Sequence, residues 1–236
     1  MKIGLFTDCH YCRSNLSGGR DSKASYGKIK ASMEAFKEAG VDICFCLGDL
    51  TDNGPDDTKE TVAQAFREAM ELILSFEIPF YLVPGNHDYL ILKAEELSRL
   101  GDYKIPPYTV KTDEYDFIIL DANYRSSMAR FDIEGVEWTD SNLPPFQLEY
   151  LRKALSDSHK DCVVLVHENL DPAIHISHLI KNGKAVRDII RDSGRVRLVL
   201  QGHYHGGAEG KIDGIPYITL PAMCEHKEGY YKILEL

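Results

Sequence analysis

No apolar run in the sequence approaches the roughly 18 to 20 residues that a membrane-spanning helix requires, so no membrane partner is expected. A signal peptide is not expected either, because Met1-Lys2 leads straight into the strand-like Ile3-Gly4-Leu5-Phe6, and a cytoplasmic location is expected. Basic residues are in deficit: 27 Lys and Arg stand against 37 Asp and Glu, a formal charge of -10. Binding bulk nucleic acid needs a Lys/Arg surface, and this balance argues against it. Cysteine is limited to six residues, read as reduced thiols since a core of this size needs no disulfide staples. Cys44, Cys46 and Cys162 look like buried apolar residues. Cys9 and Cys12 form a C-x-x-C, but no second pair exists to complete a four-thiolate zinc site. Internal repeats, low-complexity tracts and linkers are also missing, so the 236 residues are expected to form one domain, 1–236.

What is present is a series of short apolar runs bounded by Gly, Pro, Asp or His. Five read as buried strands: Lys2 to Thr7, Asp42 to Leu47, Pro79 to Val83, Cys162 to Val166 and Arg197 to Leu200. Helical spacing marks Ala24 to Ala39 and Thr58 to Phe76 between the first three, which gives β-α-β-α-β and an α/β fold with a mainly parallel sheet. Further on, Tyr108 to Lys111 and Asp116 to Leu120 read as paired strands. Pro145 to Ser156 and Ala185 to Asp192 read as helices, the second ended by Gly194. In the tail, Asp213-Gly214 and Glu228-Gly229 predict antiparallel hairpins.

The residues that follow the five strands carry the functional signal. They are Asp8-Cys9-His10, Gly48-Asp49, Gly85-Asn86-His87-Asp88, His167 and Gly202-His203-Tyr204-His205. Ligands of open α/β sheets bind beyond the strand carboxyl ends, so these residues can converge although they are far apart in sequence. A lone Asp after a strand often caps a helix, and a lone His is usually structural. Five such positions at equivalent strand ends make a metal site. The donors are imidazoles, carboxylates and one amide, a set suited to Mn, Fe or Zn. They are too numerous for one ion, and Asp49, in the middle of the series, is the natural bridge between two.

The blocks D-x-H, G-D, G-N-H-D, H and G-H-x-H, in that order from Asp8 to His205, resemble the calcineurin-like metallophosphoesterases. The resemblance implies a four-layer α/β/β/α sandwich with two mixed sheets and a pair of metal ions at the strand ends. Carried over by position, Asp8, His10 and His205 would hold one metal, Asn86, His167 and His203 the other, and Asp49 would bridge them. His87 would stand beside the scissile phosphate and Asp88 would orient it. Asp52 falls where the related purple acid phosphatases carry a metal-binding tyrosine, so no iron-tyrosinate colour is expected. The implied function is hydrolysis of a phosphoester or phosphoanhydride by metal-bound hydroxide, on a small phosphorylated and possibly nucleotide-derived substrate. The manganese-dependent ADP-ribose and CDP-alcohol branch and the cyclic-nucleotide and glycerophosphodiester branch both share these features. A metal-bearing scaffold without turnover and a nuclease are the competing classes; intact His87 and Asp88 weigh against the first and the acidic balance against the second. Arg13, Asn15, Arg20, Tyr89, Tyr124, Arg125 and Asn169 lie near strand ends as candidate substrate contacts.

Overall fold

The computed structural model describes residues 1–13, 19–101, 103–131 and 137–236. The first three apolar runs form the parallel strands β1 (Lys2–Phe6), β2 (Ile43–Cys46) and β3 (Phe80–Leu82). Between them lie α1 (Ser25–Ala39) and α2 (Lys59–Leu74). The start of α2 is fixed by Thr58, whose hydroxyl accepts from the Thr61 amide while the Thr61 hydroxyl accepts from the Thr58 amide. Two otherwise unpaired donors are thereby satisfied. A short helix, α3 (Ala94–Gly101), was not anticipated; it buries Ala94 and Leu97, too brief a periodic pattern to stand out.

The remaining elements build a second sheet. The antiparallel pair β4 (Tyr108–Lys111) and β5 (Tyr115–Ile119) forms as expected. Then come α4 (Pro145–Asp157), β6 (Asp161–Leu165), α5 (Gly183–Ser193), β7 (Val196–Gln201), β8 (Ala208–Ile212) and β9 (Ile215–Thr219). The order across this sheet is β4-β5-β6-β7-β9-β8. The turn at Asp213-Gly214 closes the β8–β9 hairpin.

The second expected tail hairpin is absent. After Glu228-Gly229 the chain forms β10 (Lys232–Glu235), which pairs antiparallel with β1 in the first sheet, Lys2 opposite Glu235. The reason is edge availability. β9 already has β7 and β8 on its two sides, whereas β1 has an open side whose backbone groups need partners.

Alternation along the strands creates the layers. Leu5, Phe45 and Leu47 of the first sheet meet Phe117, Ile119, Val163, Leu165 and Leu200 of the second in a buried seam. On the outer face of the first sheet, Phe6, Cys44 and Cys46 pack with Met33 and Phe36 of α1 and Phe66 and Met70 of α2. On the outer face of the second, Ile118, Val164 and Val199 pack with Leu151 of α4 and Val186 and Ile190 of α5. Both faces of each central strand are covered, which is why these strands read as unbroken apolar runs. The result is the α/β/β/α sandwich. The five strands that carry the functional blocks are divided between its two sheets, three and two. Among the described residues no helix is long and apolar enough to cross a membrane.

Candidate metal centre

The loops beyond both sheets are stitched to one another. The Asp8 and His10 amides donate to the carbonyls of Gly48 and Asp49, at 3.0 and 2.9 Å, and the Gly202 amide donates to that of His167 at 3.0 Å. Four of the predicted site residues sit on left-handed backbone: Asp8, His10, Asp49 and His203 have φ of 49°, 46°, 51° and 67°. Such conformations cost about 1 to 3 kcal/mol each in residues with a β-carbon, and persist where the surroundings impose them.

Two glycines make room for the side chains. A β-carbon on Gly48 would lie 2.2 Å from His167 Nδ1, and one on Gly85 would lie 2.1 Å from Asp49 Oδ1. Gly85→Ala should therefore push Asp49 out of place. We expect a stability loss of about 1 to 3 kcal/mol on denaturant titration, the usual range for overpacking, together with weaker manganese binding. Unchanged manganese affinity would show that the placement of Asp49 is not critical.

All seven predicted metal-site residues come together, in two groups. In one, His10 Nε2 and His205 Nε2 are 3.2 Å apart, and Asp8 Oδ1 lies 3.7 and 3.3 Å from them. Asp49 Oδ2 stands 3.6 Å from His10 Nε2 and 3.3 Å from His167 Nε2, so a single carboxylate oxygen faces both groups. Asp49, His167 and His203 offer ligand atoms that all lie within 4.8 Å of one another. Asn86 is buried and, with Asp49 and His203, lines a cavity over the centre.

The outer hydrogen bonds set which atoms point inward. His167 Nδ1 is 2.7 Å from the Leu47 carbonyl, His10 Nδ1 is 2.9 Å from Asp52 Oδ2, and His205 Nδ1 is 2.5 Å from Glu225 Oε1. These partners accept, so each Nδ1 carries the proton and each Nε2 presents a lone pair to the centre. Asp8 Oδ2 accepts from the Thr7 hydroxyl and the His203 amide, which leaves Oδ1 facing inward. Asp8 Oδ1, Asn86 Oδ1, His167 Nε2 and His203 Nε2 are all buried without a hydrogen-bond partner. Buried polar atoms are normally paired, and an unpaired one costs about 1 to 3 kcal/mol. Converging unpaired acceptors of this kind fit cations.

Charge points the same way. Burial disfavours a proton on His10, but Asp52, Asp8 and Asp49 outweigh it and raise its pKa to about 9. His167 is likewise raised against the effect of burial, by Asp49 and Asp8. Burial opposes ionisation of Asp8 and Asp49 as well, yet His167 helps hold both well below the usual carboxylate range. His203 differs: burial and the neighbouring His167 push it down to about 3, so it is neutral and ready to ligate. Protons and metal ions thus compete for the same lone pairs, and metal binding would release protons.

One expectation needs correction. Asp88 does not orient His87; its carboxylate accepts from the amides of Gly85, Asp49 and Thr51 and so braces the loops. Burial, reinforced by Asp49, raises its pKa to about 7. The carboxylate beside His87 is Asp52, whose Oδ1 lies 2.9 Å from His87 Nδ1 as a charge contact rather than an aligned hydrogen bond. The His87 amide donates to Asp49 Oδ1 at 2.8 Å, and its ring borders a cavity of about 390 Å3 over the centre.

Of the candidate substrate contacts, Arg20 lines that cavity. Arg13 turns to Glu68 on the surface, and Asn15 lies outside the described residues. Tyr89 is buried with its hydroxyl 3.2 Å from Asp121, and Tyr124 accepts from the Arg130 guanidinium. Arg125 is absent from the cavity wall, and the Asn169 amino group donates to the Gly202 carbonyl and the Thr219 hydroxyl. Proximity to a strand end does not set which way a side chain turns, and of these candidates only Arg20 lines the cavity among the described residues. Trp138, His178 and Tyr204 line the cavity unanticipated. Tyr204 lies inside the G-H-x-H block and was within reach of the sequence; Trp138 and His178 have no strand-end marker. Cys224, also unanticipated, groups with His10 and His205, whereas Cys9 and Cys12 join no metal-binding group among the described residues.

Comparison with known proteins places the chain in a family. The calcineurin-like phosphoesterase profile matches residues 1–207. The chain is 21% identical over 230 residues to the 3′,5′-cyclic adenosine monophosphate phosphodiesterase CpdA of Haemophilus influenzae, spanning 95% of this chain and 77% of that protein. It is 27% identical over 169 residues to a probable glycerophosphodiester phosphodiesterase GpdQ of Arcobacter nitrofigilis, spanning 70% and 56% of the two chains. In three dimensions it is similar to a dimetal phosphatase from Danio rerio, with a TM-score of 0.82, 18% identity, and coverage of 98% and 91%. The chain belongs to the calcineurin-like phosphoesterase family of metal-dependent phosphoester hydrolases.

Proposed function

We propose that the protein hydrolyses a small phosphodiester with two metal ions, drawn from Mn, Fe and Zn, as cofactors. The observation that carries the reading is the single oxygen, Asp49 Oδ2, placed within 3.6 Å of one group of donors and 3.3 Å of the other. Asp8, His10 and His205 would hold one cation, Asn86, His167 and His203 the second, with Asp49 shared. When bound, the pair supplies a water of lowered pKa and neutralises charge on the phosphoryl group.

The chain's own residues do the rest. Glu225, Asp52 and the Leu47 carbonyl fix three imidazoles so that no reorientation is needed when a metal arrives. Asp52 faces His10 through Oδ2 and His87 through Oδ1, tying the position of His87 to that of a ligand. With Nδ1 directed at Asp52, the opposite nitrogen of His87 is the one available to protonate the leaving oxygen. Arg20, 3.1 Å from Asp52, adds positive charge where a phosphate would enter. The cyclic-nucleotide and glycerophosphodiester relatives favour a diester over a monoester.

A manganese-supplemented panel tests the reading: bis-p-nitrophenyl phosphate, p-nitrophenyl phosphate, a 3′,5′-cyclic nucleotide and ADP-ribose, each with and without chelator. The diesters should be cleaved faster than the monoester and the pyrophosphate, and chelation should remove all activity. A preference for p-nitrophenyl phosphate or ADP-ribose would reject the diester assignment; activity that survives chelation would reject the metals.

A further inference from the structure

The cavity above the centre has two unlike halves. Arg20, paired with Asp52, and His87, whose ring lies 4.6 Å from that of His10, sit on the side of the first group. The other side is built of rings. Trp138 and His178 lie 5.8 and 5.2 Å from the His203 ring and 5.3 Å from each other. Tyr204 adds a ring 5.3 Å from His178, edge-on at 84°.

Trp138 is the only tryptophan in the sequence and remains 41% exposed at this cavity. An indole in a folded chain ordinarily buries its face, and one left open beside a ligand pocket is a surface for apolar, flat partners. Its backbone is held as well. The Ser141 hydroxyl donates to the Trp138 carbonyl, the Asp140 amide to that of Glu137, and the Lys181 amide to that of Ser141. That last bond ties the Trp138 turn to the segment that follows His178.

We infer that Trp138, backed by His178 and Tyr204, is the stacking face for a planar heteroaromatic ring carried by the substrate. The protein would then take a nucleotide in preference to an aliphatic diester. The inference rests on the preceding reading for the place of the phosphoryl group, over Asp49 and Asn86. A cavity of about 390 Å3 is near the lower end for small-molecule sites and suits one mononucleotide rather than a strand. Base stacking on an aromatic side chain tolerates any base, so the wall selects for a ring and not for its identity.

The test is binding, so it does not depend on turnover. Manganese-loaded protein is titrated calorimetrically with AMP and with ribose 5-phosphate, which share sugar and phosphate and differ by the base. AMP should bind about 10-fold or more tightly, and AMP alone should strongly quench the single tryptophan's fluorescence. Trp138→Ala, checked for full manganese content, should bring the two affinities within about 2-fold, and Trp138→Phe should keep most of the difference. Equal affinities in the unaltered protein, equal quenching by the two compounds, or an undiminished AMP preference in Trp138→Ala would each overturn the inference. Failure of the diester reading would show differently, as a metal-loaded protein that prefers AMP yet cleaves no diester.

Discussion

Asp49→Asn should leave both halves of the centre poorly occupied. Asp49 Oδ1 accepts the His87 amide, so an asparagine keeping that bond would place its amino group where Oδ2 stands. A neutral donor would then point at His10 Nε2 and His167 Nε2, 3.6 and 3.3 Å from the present oxygen, and at both cations. Two cations held by these groups would repel each other, and the shared carboxylate would offset this. Losing an outer partner of a metal ligand commonly costs 10- to 100-fold, so losing a shared ligand should cost more than about 10²-fold in diester hydrolysis. Atomic emission should find less than one metal per chain. Two full equivalents in the purified variant would mean that Asp49 is not the bridge.

The second large effect is expected at His87. His87 is not among the seven residues assigned to the ions, although one of its ring nitrogens lies within 4.8 Å of ligand atoms of His10 and Asp49, and its amide, which supports Asp49, survives substitution. His87→Ala should therefore keep its metals. Turnover of diesters with alkoxide leaving groups should fall by about 10² to 10⁴, the usual contribution of a positioned acid or base. p-Nitrophenolate leaves without needing a proton, so bis-p-nitrophenyl phosphate should suffer much less. An equal loss for both substrates would assign His87 to phosphate binding rather than proton transfer. Asp52→Asn offers a contrast, since Asp52 supports His10 as well as His87.

How far these positions could be read from the sequence depended on what fixes each residue. Asp8, Asp49, Asn86, His167 and His203 stand two to four residues beyond the strand ends, which leaves the chain little room to carry them away from the sheet edge, and the structure brings them together. The roles of Asp52 and Asp88 were not legible: both follow strands, both are buried, and only loop geometry decides which carboxylate meets an imidazole and which meets amides. Trp138 reaches the cavity on a turn and His178 at the end of a three-residue 3-10 helix, Ile176–His178, both too short for a periodicity to mark them. β10 shows a related limit, since its pattern identifies a strand but its partner depends on which sheet edge is open.

The proposed ligand donors come from opposite sides of the sandwich: Asp8, His10, Asp49 and Asn86 follow strands of the first sheet, and His167, His203 and His205 follow strands of the second. A bound ion pair would thus rivet one end of the apolar seam, and any slippage of one layer past the other would have to break coordination. Cohesion between the halves of the molecule and affinity for the ions would then be one and the same free energy, reachable from either end.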